Sequence, residues 1–160
     1  MLIRDEQPED IDSVRDLTER AFGQADEAQL VDALRRDGNN AISLVATEGD
    51  IVVGHVLLSP MYAPFRALGL APLSVLPDHQ NRGIGSALSI AALERARVGG
   101  WDAVFVLGDN AYYERFGFRA DLAAGFECPY AGSHFMVAPL RGALPVLSGR
   151  VDYAPAFAAL

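Results

Sequence analysis

The sequence predicts an α/β fold built on a mixed sheet, and three stretches carry that prediction. Leu73 to Leu88 begins as an apolar strand, breaks at Pro77, bends through a polar loop and restarts as a helix at the Gly83–Gly85 pair. The helix runs from Gly83 to Val98, Gly99-Gly100 stops it, and Ala103 to Leu107 follows as a short apolar strand. Two strands flanking a helix at this length make a parallel βαβ unit. Upstream, Ile42 to Ala46 and Ile51 to Leu58 flank the turn Glu48-Gly49-Asp50 and read as an antiparallel hairpin.

In chain order, Leu2 to Arg4 is a short first strand. Gln7-Pro8-Glu9-Asp10 starts a helix, because proline suits a first helical position and acids suit the first turn. Ile11, Val14, Leu17 and Ala21 with Phe22 recur at helical spacing and give one core-facing stripe, ended by Gly23. A second helix spans Glu27 to Arg36, with Leu30, Val31 and Leu34 inward and Gly38 as its stop. Gly54, inside the second hairpin strand, marks a bulge or a close backbone approach. Pro60 to Pro64 is a loop, Leu68 to Val75 the next strand, and Pro72 within it predicts an irregular ladder. Asp109 or Asn110 caps a short helix through Arg115. Phe118 begins another strand, and His134 to Leu140 is the last. Beyond it, Arg141 to Leu160 mixes Gly142, Pro145, Gly149 and Pro155 with apolar residues and is too apolar for a free tail. The reading is one domain over 1–140 and a C-terminal extension over 141–160, packed on the body or on the partner of a homodimer.

Composition sets the outer limits. The chain has 160 residues, 51% of them hydrophobic, enough for one domain with a full core. The single cysteine, Cys128, rules out an internal disulfide framework, and a reducing, cytoplasmic setting is the default. No charged segment with an apolar run follows Met1, so no secretory signal is expected. No stretch has the roughly 18 uninterrupted apolar residues of a membrane span. The formal charge of −8 argues against nucleic acid, which wants a basic surface; it fits a cationic partner or, equally, solubility alone. The three histidines and one cysteine lack metal spacing, so no metal site is expected.

Chemistry concentrates in the loop after the Leu73 strand. Glycines let backbone approach a ligand closely, and the free N–H groups of a helix N-terminus point at it with the positive end of the dipole behind them. Arg82 adds a charge and a planar donor fork suited to phosphate. The spacing is not a P-loop, which needs Lys-Ser/Thr after its second glycine. Nor is it the dinucleotide fingerprint, since Ser86 to Ser89 offers no third glycine.

Gln80-Asn81-Arg82-Gly83-Ile84-Gly85 resembles the coenzyme A loop of the GCN5-related N-acetyltransferase (GNAT) family: Gln or Arg, two residues, Gly, one residue, Gly or Ala. A second family mark, Tyr113-Glu114-Arg115-Phe116-Gly117-Phe118, follows about one strand–helix unit downstream. The resemblance covers Ile3 to about Leu140, and the run Leu107 to Phe118 is similar to the YhbS-like group of small bacterial members. It implies the GNAT (acyl-CoA N-acyltransferase) fold, a mixed, mostly antiparallel central sheet with a splayed strand pair and helices on both faces. The strand holding Pro72 would carry the family's bulge, and the gap beside it would admit the pantetheine arm. The implied activity is transfer of the acetyl group from the co-substrate acetyl-CoA to a primary amine, on a small molecule or a peptide, by direct attack in a ternary complex. A non-catalytic acyl-CoA-binding or sensing module on the same fold is the alternative. A homodimeric scaffold assembled through the tail is a third reading.

The resemblance also assigns residues. Backbone groups of Leu73, Ser74 and Val75 would hold the acetyl carbonyl and the pantetheine amides. The loop residues Gln80, Asn81, Arg82, Gly83, Ile84, Gly85, Ser86 and Ala87 would form the coenzyme cradle. Its pyrophosphate would fall on the N–H groups from Arg82 to Ala87, with Ser86 Oγ as an extra donor. Tyr113, four residues before Gly117, matches the family's general acid: a phenol near pKa 10 keeps its proton at neutral pH and can donate to a departing thiolate. The family often places an asparagine seven residues before this tyrosine. Here Asn110 stands three before it, either as a coenzyme contact or as a cap. Members often carry a glutamate base on a splayed strand, but Leu70 to Val75 and Ala103 to Leu107 contain no carboxylate. His55, on the neighbouring strand, and Glu127 are the substrate-side candidates, weighed against a structural histidine and a solvated carboxylate. Tyr112 and Cys128 read as packing, and His79 as solvated or touching the coenzyme. His134 reads as a strand residue without a partner.

Overall fold

The central strands bury apolar side chains on both faces, and this dictates layers above and below one sheet. The computed structural model describes residues 1–160. It begins with β1 (Leu2–Asp5), a 3-10 turn at Pro8–Asp10, α1 (Ile11–Phe22) and α2 (Asp26–Arg36). The hairpin β2 (Ile42–Glu48) and β3 (Ile51–Met61) comes next, then β4 (Ala67–Val75), α3 (Ile84–Val98) and β5 (Ala103–Leu107). The chain ends with α4 (Asn110–Glu114), α5 (Ala120–Ala123), β6 (Phe126–Glu127), β7 (Phe135–Pro139), β8 (Gly149–Arg150) and a 3-10 turn at Pro155–Ala159. Six strands form one sheet in the order β1-β2-β3-β4-β5-β7, while β6 and β8 pair separately. Within the main sheet only β4 and β5 run parallel. No helix is long and apolar enough to cross a membrane.

On one face α3 lays Ile84, Leu88 and Ala92 against Val56, Leu58 and Val104. On the other, α1 and α2 bury Val14, Leu30 and Leu34 against Val45 and Leu57. The C-terminal elements cover Phe105 and Phe135 on that same face. Gly54 serves both purposes expected of it. The β2–β3 register slips beside it, between Ala46 and Thr47. A Cβ there would also lie 2.9 Å from Leu88 Cδ1 and 3.0 Å from Ile84 Cγ2, so α3 sits directly on β3 backbone.

The irregularity at Pro72 shapes the site. Val56 pairs with Leu73 but Leu58 with Leu70, so β4 takes one more residue than β3 over the same span. That residue falls in the Ala71–Pro72 segment, whose peptide bond is cis. Parallel pairing of β4 with β5 stops at Gly69↔Phe105, although the two strands continue to Val75 and Leu107. A wedge therefore opens between them.

One expectation changes. The strand expected to begin at Phe118 shrinks to one bridge, Arg119↔Val137, because the chain turns through Gly117 (φ +96°) and then coils into α5. The segment 141–160 packs on the body of this chain. Asp152 exchanges both backbone hydrogen bonds with Tyr62 at 3.0 Å, and Val151, Ala154 and Phe157 are buried in the body.

Candidate functional site

Where β4 ends, the chain makes a 3-10 turn at Pro77–His79, and Asn81 (φ +64°) and Gly83 (φ +82°) then take left-handed backbone. These are the residue types that tolerate that conformation, and they swing the chain into α3. The Gln80 side-chain amide donates to the Val75 carbonyl at 3.1 Å and ties the loop to the strand end. No side chain caps α3. The N–H groups of Ile84, Gly85 and Ser86 therefore lack a helical partner, the arrangement that receives anions. Over them lies a cavity of about 590 Å³, lined by Leu73, Val75, His79, Gln80, Asn81, Gly83, Ile84, Gly85, Ser86, Tyr112 and Arg115.

Three predicted members stand apart from this cavity's lining. Arg82 is exposed and does not line it. The arginine that does line it is Arg115, whose guanidinium donates to Ser86 Oγ at 3.0 Å and sits 4.7 Å over the Tyr112 ring. The Ala87 N–H is spent on the Gly83 carbonyl at 3.0 Å, closing the first turn of α3. The Ser74 side chain is buried on the opposite face of β4, since strand residues alternate, and only its backbone is offered to this side. Tyr112 does more than pack. A Cβ on Gly85 would lie 2.7 Å from its hydroxyl, so the phenol and the helix start are in close approach. His79 lines the same cavity, with Nε2 3.9 Å from the Glu48 carboxylate.

A second cavity, of about 370 Å³, fills the wedge between β4 and β5. Leu70, Ala71, Pro72, Leu73, Leu107 and Tyr113 form its sheet side. Phe22, Glu27 and Leu30 from the first two helices and Tyr130, Tyr153, Phe157 and Leu160 from the C-terminal part close it. Leu73 borders both cavities, and the neighbours Tyr112 and Tyr113 stand one on each. The two spaces thus meet at the splay.

Asp109 caps α4, its Oδ2 accepting the Tyr112 N–H at 3.0 Å. That short helix holds Tyr113 with its ring edge-on to Phe118 at 5.6 Å and pressed on Gly108, where a Cβ would lie 2.6 Å from Tyr113 Cε2. Burial pushes the Tyr113 phenol up to about 12. Tyr153 rests on Gly69, the last residue of β4 paired to β5. Its hydroxyl is buried without a hydrogen-bond partner, and burial raises this phenol strongly. Glu27 brings the one carboxylate side chain to the wall, its two oxygens held by Gln24 Nε2 at 3.0 and 3.2 Å.

The other candidates lie elsewhere. His55 is fully buried on the α1–α2 side of the sheet and lines neither cavity. Its Nε2 is 2.8 Å from Ser43 Oγ and 3.1 Å from Glu6 Oε2, and Arg35 pairs with Glu6 at 2.7 Å. The Ser43 hydroxyl donates to Glu6 at 2.6 Å, so Nε2 carries the imidazole proton. Burial lowers the His55 pKa and keeps the ring neutral. It is a structural histidine without access to substrate. Glu127 is exposed on β6, opposite Arg150 of β8, and lines neither cavity. Asn110 neither caps nor lines; its amide donates to the Ser133 carbonyl at 2.8 Å and anchors α4 to the turn before β7. His134 is exposed, and burial raises the pKa of the half-buried Cys128 thiol. Sequence reading missed Glu27, Arg115 and Tyr153. Arg115 sits inside the Tyr113–Phe118 mark, where a cation beside two aromatics was the available signal.

Residues 11–118 match the model of the acetyltransferase (GNAT) family. The chain is 37% identical to YhbS of Escherichia coli K12, an uncharacterized N-acetyltransferase, over 96% of each chain. It is also 37% identical to the uncharacterized N-acetyltransferase YjhQ of the same organism, over 76% of this chain and 71% of that one. Among solved structures, E. coli YhbS in complex with CoA superposes with a TM-score of 0.92 and 35% identity, covering 98% of this chain and 91% of that one. A GNAT acetyltransferase of Brucella melitensis in complex with acetyl-CoA gives 0.84 and 36%, covering 98% and 97%.

Proposed function

The chain belongs to the acetyltransferase (GNAT) family, and from that premise we propose that it moves the acetyl group of acetyl-CoA to a primary amine by direct attack in a ternary complex. The observation that carries this reading is the junction of the two cavities at the splay, with Tyr113 beside it. Two relatives form complexes with CoA and with acetyl-CoA, which supports a coenzyme A ester as the donor.

In this reading the pyrophosphate takes the free N–H groups of Ile84, Gly85 and Ser86, and Arg115 supplies the countercharge. The pantetheine arm runs along Leu73 to Val75, and the thioester lies at the wedge. The free amine attacks the carbonyl carbon, the tetrahedral intermediate collapses, and the carbon–sulfur bond breaks. Sulfur leaves as thiolate and takes the Tyr113 proton. Raised to about 12, the phenol holds its proton at neutral pH until the thiolate forms. The amine sheds its own proton to water, and Tyr113 regains one from solvent. No activated nucleophile lines the wedge, so a covalent acetyl-enzyme has no support.

Calorimetric titration with acetyl-CoA tests the reading, on the native protein and on Gly83→Glu and Arg115→Ala. The glutamate sets bulk and negative charge where phosphate would lie, and binding should vanish. Loss of a charge-assisted contact at Arg115 should weaken binding about tenfold or more. A native protein that does not bind acetyl-CoA would overturn the proposal.

A further inference from the structure

We propose that the wedge cavity selects, as acetyl acceptor, a primary amine carried on an apolar, ring-sized body, with the Glu27 carboxylate meeting the charge of the amine. The inference rests on the acetyltransferase reading and adds the class of acceptor to it.

Three observations converge. The cavity measures about 370 Å³ and its walls are mostly apolar, with Glu27 as the one charged side chain beside the phenols of Tyr113, Tyr130 and Tyr153. An apolar cavity of about 150 Å³ already takes up benzene, so a ring with a short chain fits here with room for the thioester. Aromatic rings dominate the far wall: Tyr153 stands edge-on to Tyr130 at 5.5 Å and tilted against Phe157 at 5.0 Å. Such faces and edges receive another ring favourably.

The charged group narrows the class further. Glu27 is the one acid side chain on the wall, held in place by Gln24. It can compensate one cationic centre, and a polyamine would leave its other charges in apolar surroundings, at a cost. A longer acyl chain on the coenzyme could fill the same volume but would leave the Glu27 carboxylate unanswered.

The test is calorimetric titration of 2-phenylethylamine, ethanolamine and spermidine into the native protein saturated with CoA, with acetyl-CoA binding measured separately. Phenylethylamine should bind at least about tenfold more tightly than either polar amine. Glu27→Gln should weaken it about tenfold and leave acetyl-CoA affinity unchanged, as expected for loss of one charge-assisted contact. With acetyl-CoA present, thiol release should follow the same order in kcat/KM. Equal or tighter binding of a polar amine, or an affinity unmoved in Glu27→Gln, overturns the inference. So does hexanoyl-CoA that binds more tightly than acetyl-CoA and excludes the amine. Failure of the amine with acetyl-CoA binding intact sinks this inference alone; failure of acetyl-CoA binding sinks the acetyltransferase reading and this inference with it.

Discussion

Tyr113 is a half-buried phenol and His55 a fully buried imidazole, and their neighbours give them opposite uses. Tyr113 faces a cavity, has no hydrogen-bond partner in the chain, and holds its proton because its surroundings are poorly hydrated. Tyr113→Phe should therefore lower kcat about 100-fold, within the usual range for a lost general acid, and leave the acetyl-CoA Kd unchanged. The rate should also show no alkaline fall from this group below about pH 10, since its phenol lies higher still. Full activity in the variant would show that the acid lies elsewhere. His55, by contrast, is locked among Glu6, Ser43 and Arg35. Burial raises the Glu6 carboxyl, but hydrogen bonds from His55 and Ser43 and the nearby charges outweigh it, so its pKa falls well below the ordinary 4.5. Both shifts act in one direction. The unfolded chain binds protons that the folded chain refuses, so this cluster's stability is present above pH 6.5 and drains away on acidification. The melting temperature should fall as pH drops through 6.5 and again below 4.5. His55→Gln should flatten the first step, and an unchanged first step would assign it to another group.

At the scale of elements, the contact of α3 with β3 fixes the loop cavity. The helix start and the end of β4 keep their relation because Leu88 and Ile84 press on the bare backbone at Gly54. Gly54→Val should overpack this contact and cost about 1–3 kcal/mol in urea unfolding. Because the helix N-terminus must shift away from the sheet, acetyl-CoA affinity should fall as well. Stability lost with affinity retained would separate the two. The extra residue of β4 has the complementary effect. It leaves β4 paired to β3 but turns its far end from β5, so the wedge is built into the strand itself.

Across the whole molecule, the C-terminal segment is a wall of the wedge and part of the core at once. Phe157 is buried with Val14, Leu30 and Leu34 and also borders the cavity. Phe157→Ala should cost about 3 kcal/mol through the lost burial and the void it leaves. It should also raise KM for the amine more than for acetyl-CoA, because the segment closes only the wedge. A KM for acetyl-CoA raised as far as that for the amine would show that the segment supports both cavities.

The sequence alone determined the strand–loop–helix unit, the hairpin, the break at Pro72, the glycines of the loop and a cap at Asp109 or Asn110. Each depends on residues within a turn or two of one another, through hydrophobic period, backbone freedom or a local hydrogen bond, and such short-range physics is written in order along the chain. Which side chains share a cavity was decided only by the tertiary structure. It brought Arg115 rather than Arg82 to the lining of the loop cavity and left Asn110, Ala87 and His55 outside both cavities. It also brought Glu27 and Tyr153, far apart in sequence, to the same wedge. The physical reason is that facing depends on packing: a strand's pleat, a helix's rotation against the sheet and one extra residue in β4 decide which groups meet, and no local pattern records them.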